Sequence, residues 1–191
     1  MNKLICFEYC IVKFVQWYSE TVCGRTLTID EITNDNCAKI FSQFNKLKLF
    51  KLLFFVSVIP KNNAKNDTSD LLGIFNNYWA LPYGPVESEI YDAMSDLSNF
   101  QISNNSISLK ENATLDFTSI SQNGNADAID TSIDQLRLEN ESLVRMAAFD
   151  LVELSHKSEA WKIVFSNAQK NGFSSKAMPV NLLRDTIVFY N

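Results

Sequence analysis

The chain is 191 residues long, 46% of them hydrophobic and 20% charged, a balance that sustains one packed core and excludes wholesale disorder. Its net charge of −5 opposes the clustered Lys and Arg that a phosphate backbone demands, so nucleic acid is disfavoured as a partner. The most apolar run, Leu47 to Ile59, is interrupted by Lys48 and Lys51, and Glu8 and Lys13 break the apolar N-terminal stretch; the sequence predicts no membrane span, no signal peptide and a cytoplasmic location.

The first predicted helix runs from Lys3 to about Ser19, with Leu4, Phe7, Ile11, Phe14 and Tyr18 on one stripe and Gly24 as its stop. Arg25 to Glu31 alternates loosely and reads as a short strand or an extended connector. A second helix is expected from Thr33–Asp35 to about Val58, before Pro60. It carries two apolar stripes, Cys37-Ile40-Phe44-Leu47 and Leu49-Leu52-Leu53-Val56, so it belongs at the centre, with Lys46, Lys48 and Lys51 reaching solvent along their stems. Lys61 to Asp70 reads as a polar loop, Leu71 to Trp79 is apolar and aromatic, and Ala80 to Val86 forms an abrupt turn around Pro82, Gly84 and Pro85.

A helix is expected from Glu87 to about Leu97, with acids in its first turn. Between Phe100 and Ile120 the apolar pattern changes to period two, which predicts a hairpin or a pair of hairpins inserted at about 100–120. Ser121 to Asp127 reads as a loop, followed by one long helix from Ile133 to Leu154 with Ser132 and Gln135 as a capping box. Ser158 starts a shorter helix that ends at Gly172, and Pro179 begins a last helix with Leu182, Leu183, Ile187 and Val188. The expected fold is mainly α: a single compact helical domain over residues 1–191, of about five to six helices, with a small β-hairpin insertion.

No residue pattern announces catalysis. Cys6, Cys10, Cys23 and Cys37 lack zinc-ligand spacing and read as small buried hydrophobes in a reducing compartment. Glycine is too scarce for a phosphate cradle, and Asp127, Asp130 and Asp134 lack the central glycine and terminal glutamate of a calcium loop, so they read as helix-start acids. No catalytic residue, metal ligand or cofactor is assigned. His156, the single histidine, is the one catalytic suspect; the plainer reading has it capping a helix end or fixing a turn by hydrogen bonding. The run Lys46 to Lys51 reads as the solvated edge of a core helix, and Tyr78, Trp79, Tyr83 and Tyr91, clustered around the turn, serve either as core filler or as an interface.

Three separated stretches carry a resemblance: Lys46-Leu47-x-Leu49-x-Lys51-Leu52-Leu53-Phe54-Phe55, then Tyr83-Gly84-Pro85-Val86 with Tyr91, then Leu154-Ser155-His156 with Trp161. In that order, within residues 45–161, they resemble the Panacea, or SocA-like, antitoxin domain. The chain departs from the family pattern at Trp79-Ala80-Leu81-Pro82 before the turn, and at Ala160, where relatives often carry proline. The resemblance implies a bacterial or phage-type protein that binds and neutralises a toxin encoded next to it. It also implies that Tyr83, Gly84, Pro85, Val86 and Tyr91 shape the turn, with His156 and Trp161 packing or hydrogen-bonding nearby, either against the partner or as scaffold. Delivery of a partner protein to a protease is the alternative the family offers; a His156-dependent hydrolase is the alternative the residues offer.

Overall fold

A computed structural model describes residues 3–33, 37–59, 70–185 and 190. Helix α1, Lys3–Cys23, is one turn longer than its apolar stripe predicts; the backbone turns out at Gly24, where φ is 70°. Of the expected strand or connector, residues 25–28 are an irregular connector, and its end is taken over by helix α2, Ile29–Thr33. It starts on a reciprocal cap: Thr28 Oγ1 accepts from Glu31 N at 3.2 Å, and Glu31 Oε2 accepts from Thr28 N at 2.8 Å.

The expected helix up to Val58 is two helices, α3 at Ala38–Phe41 and α4 at Lys46–Ser57; its expected start at Thr33–Asp35 lies largely outside the described residues. The break falls at Asn45, whose side chain accepts from Lys48 N at 2.9 Å and so caps α4. Helix α4 is the centre of the molecule, as its two apolar stripes predict: Leu49, Phe50 and every residue from Leu52 to Val56 are buried. The lysines correct the sequence reading. Lys46 is half-buried, but Lys48 and Lys51 are buried outright, because neighbours close over α4 on all sides. Lys48 lies over the rings of Phe44 and Tyr18, at 5.0 and 5.5 Å.

The predicted loop at Lys61 lies outside the described residues. Beyond it, a 3-10 turn at Leu71–Gly73 leads to strand β1, Tyr78–Leu81. The abrupt turn is the tip of a hairpin: β1 pairs antiparallel with β2, Gly84–Glu87, in the register Leu81↔Gly84, leaving Pro82 and Tyr83 as a two-residue loop. The expected helix from Glu87 is short, α5 at Ser88–Asp92 followed by a 3-10 turn at Met94–Asp96. Glu87 is fully buried and caps it, accepting from Ile90 N at 2.8 Å, from Asn77 N at 3.1 Å and from Lys3 Nζ at 2.7 Å.

The period-two region holds one hairpin, β3 at Phe100–Ile102 with β4 at Ile107–Leu109; its second half is irregular and then becomes helix α6, Thr118–Gln122. The predicted loop after Ser121 shrinks to the residues around Gly124, because α7 already begins at Asn125 and runs to Glu139. Ser132 and Gln135 therefore lie inside a helix and do not cap one. The long helix to Leu154 is also broken. Asn140 turns out of helical geometry, and its Oδ1 accepts from Ser142 N at 3.0 Å and Ser142 Oγ at 2.8 Å, a local turn that competes with the helix. Helix α8 then spans Ala148–Ser155.

Ser158 caps α9, Glu159–Lys170, as its sequence position predicts. Strand β5, Lys176–Ala177, adds to β1 and gives the sheet order β2-β1-β5; after Pro179, helix α10 covers Val180–Asp185, while Ile187 and Val188 fall outside the described residues. The described residues thus hold ten α-helices and two small antiparallel sheets: mainly α, with more and shorter helices than periodicity predicts. Helix α4 packs on α1, α7, α8 and β2, and α9 packs across β1 and β5. Cys6, Cys10 and Cys37 are buried thiols, as read from the sequence; Cys23, at the end of α1, is exposed. Among the described residues, no helix is long and apolar enough to cross a membrane.

Candidate functional site

Three carbonyl oxygens of the β1–β2 hairpin are held by side chains from three other elements. Lys51, on α4, donates from Nζ to the Pro85 carbonyl at 2.6 Å. Trp161, on α9, donates from Nε1 to the Leu81 carbonyl at 3.0 Å. His156, the residue that ends α8, hydrogen-bonds the Pro82 carbonyl through its ring. Tyr78, at the base of β1, donates to Ser57 Oγ at 2.9 Å and lies 3.1 Å from the Leu53 carbonyl, which ties the hairpin to α4 a second time. The loop is therefore fixed from beneath and from one side, while Pro82 and Tyr83 stay exposed.

Gly84 lets the hairpin sit this low. Its φ is +87°, and a Cβ built there would lie 2.3 Å from Ser155 Oγ and 3.2 Å from Lys51 Nζ. Only a residue without a side chain fits between α4 and α8 in that conformation. Ser155 is itself fixed, its hydroxyl donating to the Val152 carbonyl at 2.8 Å.

Burial sets the electrostatics. The Lys51 side chain is 0% exposed, and taking its ammonium out of water lowers its pKa from 10.5 to about 7. Burial also lowers Lys48 to about 8 and pushes the His156 imidazole below its ordinary value. The His156 ring stacks on Trp161 at 4.0 Å, and Trp161 stacks on Phe165 at 4.8 Å. Among the described residues, the His156 Nε2 has no hydrogen-bond partner and no carboxylate forms an ion pair with the ring. Ser155, its sequence neighbour, spends its proton on the Val152 carbonyl. No three His, Cys, Asp or Glu side chains converge as metal ligands among the described residues.

The structure thus brings six of the seven sequence-predicted residues, Tyr83, Gly84, Pro85, Val86, His156 and Trp161, to one hairpin and its braces. Tyr91 stands beside them on α5, 5.7 Å from Phe50 ring to ring. A groove of about 560 Å³ opens next to the hairpin, with Tyr83, Val86 and Tyr91 in its wall together with the first residues of α4 and of α8. Sequence reasoning missed Lys51 as a brace, because a lysine normally marks a solvated face. The signal was present in Phe54 and Phe55, three and four residues on, which share its side of the helix and are apolar. It also missed Phe149. That ring is 66% exposed and packs edge-on to Tyr83 at 6.3 Å, and its position off the apolar face of α8 could have found it.

All three braces of the hairpin, Lys51, His156 and Trp161, lie within residues 49–162, the span matched by the family model for the antitoxin SocA-like, Panacea domain. No curated protein and no solved structure matches the chain. A match over more than half the chain, enclosing the whole clamp around the Tyr83-Gly84-Pro85-Val86 turn, places this protein in the antitoxin SocA-like, Panacea domain family.

Proposed function

We propose that the chain is the antitoxin of a toxin–antitoxin pair, working in the cytoplasm by binding a toxin encoded nearby and holding it inactive, without chemistry of its own. The observation that carries this reading is the family match over a clamped hairpin that keeps an aromatic residue, Tyr83, 60% exposed at its tip. A side chain held out in water on a loop braced from three elements is pre-organised for a partner, since little conformational freedom remains to be lost on binding. The same braces argue for a scaffold role for His156: stacked on Trp161 and turned to the Pro82 carbonyl, it serves the shape of the hairpin.

The test is co-expression with the product of each adjacent reading frame. The expected result is a neighbour whose expression alone arrests growth, growth restored by this protein, and a complex that co-purifies. Faster disappearance of the neighbour when both are present would instead assign the protein as a proteolysis adaptor. Absence of both rescue and complex with either neighbour refutes the antitoxin reading.

A further inference from the structure

The groove beside the hairpin has a composition that selects its occupant. Tyr83, Tyr91 and Phe149 are exposed by 60%, 44% and 66%, and all three line it. They are not loose rings: Tyr83 and Phe149 meet edge to face, and Tyr91 rests on Phe50. Fixed, exposed aromatic surface of this kind, concave and about 560 Å³ in volume, marks an interaction site.

Lys46 is the one charged side chain in that wall. Its Nζ lies over the Tyr91 ring at 5.0 Å, and among the described residues no carboxylate stands within 4.0 Å of it. The start of α8 lines the same groove through Ala147 and Ala148, and Asp150 in its first turn offsets the positive helix end, so the positive charge of the wall rests on Lys46. On a chain with a net charge of −5, a half-buried cation with no carboxylate partner, set over an aromatic ring in the wall of a groove, favours an anionic group there.

We propose that this groove takes a segment of a partner protein in which a large aromatic or aliphatic side chain stands next to an Asp or Glu. The apolar side chain fills the space between Tyr83, Tyr91 and Phe149, and the carboxylate meets the Lys46 ammonium. This deepens the antitoxin reading, which makes the partner a toxin, but the recognition chemistry is a property of the groove.

The experiment therefore does not use the toxin. Randomised 12-residue peptides displayed on phage are selected against the full chain, and the enriched sequences are synthesised and measured by fluorescence anisotropy. The expected result is enrichment of an aromatic or aliphatic residue within a few positions of an acid. Phe149→Ala, at an exposed position, and Lys46→Ala, at a half-buried one, should each weaken the best peptide about tenfold, with melting curves that match the parent. Replacing the peptide's acid by its amide should weaken binding to the parent and leave binding to Lys46→Ala unchanged, while amidating the peptide's C-terminus should have no effect. Failure to enrich any sequence, enrichment of basic peptides, or peptides whose binding ignores both substitutions overturns the proposal. So does a self-association, seen by sedimentation, that Phe149→Asp abolishes, which would assign the groove to a second copy. Growth rescue by the parent in co-expression without peptide enrichment would leave the antitoxin reading standing and remove this one; enrichment without rescue would do the reverse.

Discussion

Gly84→Ala is the sharpest perturbation of the clamp, because the structure gives both parts of its cost. Alanine at φ +87° sits in the left-handed region, which costs an L-residue about 1–2 kcal/mol. The new Cβ would also lie 2.3 Å from Ser155 Oγ, far inside van der Waals contact, and 3.2 Å from Lys51 Nζ. Both neighbours are buried and hydrogen-bonded, so neither swings away freely, and overpacking of this kind adds about 1–3 kcal/mol. The sum, about 2–5 kcal/mol, lowers the melting temperature by roughly 4–20 °C for a chain of this size. Ser155→Ala separates the two parts. Alone it is mild, because the Val152 carbonyl that loses the hydroxyl still accepts from His156 N at 2.9 Å. On the Ser155→Ala background the glycine substitution should keep its backbone cost and the milder 3.2 Å approach to Lys51 Nζ but lose the clash with the hydroxyl, so the two changes should couple by about 1–2 kcal/mol in a double-mutant cycle read by chemical denaturation. An equal cost of Gly84→Ala in both backgrounds would refute the close approach of hairpin and helix on which the clamp rests.

Lys51 gives a pH signature. Its folded-state pKa, about 7, lies below its unfolded value of 10.5, so between those values the unfolded chain binds more protons and stability rises with pH; the contribution is lost as pH falls to 7 and is flat below it. The difference in unfolding free energy between the parent and Lys51→Met, which cancels the titration of cysteines and tyrosines, should therefore grow in the parent's favour from pH 7 to pH 9, and a constant difference would show that Lys51 titrates normally. Trp161→Phe keeps the stacking on His156 and removes only the donor to the half-buried Leu81 carbonyl, so denaturant midpoints should report a loss of about 1 kcal/mol. Asn45→Ala removes the cap of α4 and should cost about 1 kcal/mol, with Asn45→Asp restoring most of it in the same assay.

Periodicity made the long core-facing stripes legible. The face of α1, the central place of α4, the cap at Ser158 and the stop at Gly24 all follow from neighbours within a few residues, so the sequence shows them directly. The breaks were harder. Asn45 and Asn140 interrupt stripes that continue in register on either side, and only their side-chain hydrogen bonds show that they end one helix and begin another segment. Thr28 and Glu31 carry the capping pattern at the right spacing, but the few residues after them are too short a helix to show an apolar period. The hairpin of β1 and β2 left still less trace: its strands are four residues each, and Pro82-Tyr83 lacks the glycine or asparagine pairs that announce a tight hairpin loop. Of the site, the residues of the turn were visible as a resemblance, whereas the groove was not, since it is made by the starts of α4 and α8 meeting a loop distant from both.

The buried lysine follows from the topology of the small sheet. Strand β2 is its edge, and α4 covers that edge, which shields it from pairing with other chains but leaves outward carbonyls in a dry environment. Pro85 has no N–H to satisfy, yet its carbonyl is buried and needs a donor. The backbone N–H groups in the body of α4 are spent within the helix, so the donor must be a side chain long enough to reach from helix to strand. A lysine does this, and burial, by lowering its pKa, eases the cost of holding the group there, a relief that a permanently charged guanidinium would not have. The Lys51 contact bridges 34 residues and the Trp161 contact 80, so the hairpin acquires its shape only when α4, α8 and α9 have all docked around it. The exposed Tyr83 is then a surface feature available only in the folded protein. A peptide copied from the turn should accordingly fail to compete with the intact chain for its partner, whereas the intact chain carrying Gly84→Ala should lose affinity in proportion to how far the loop is displaced.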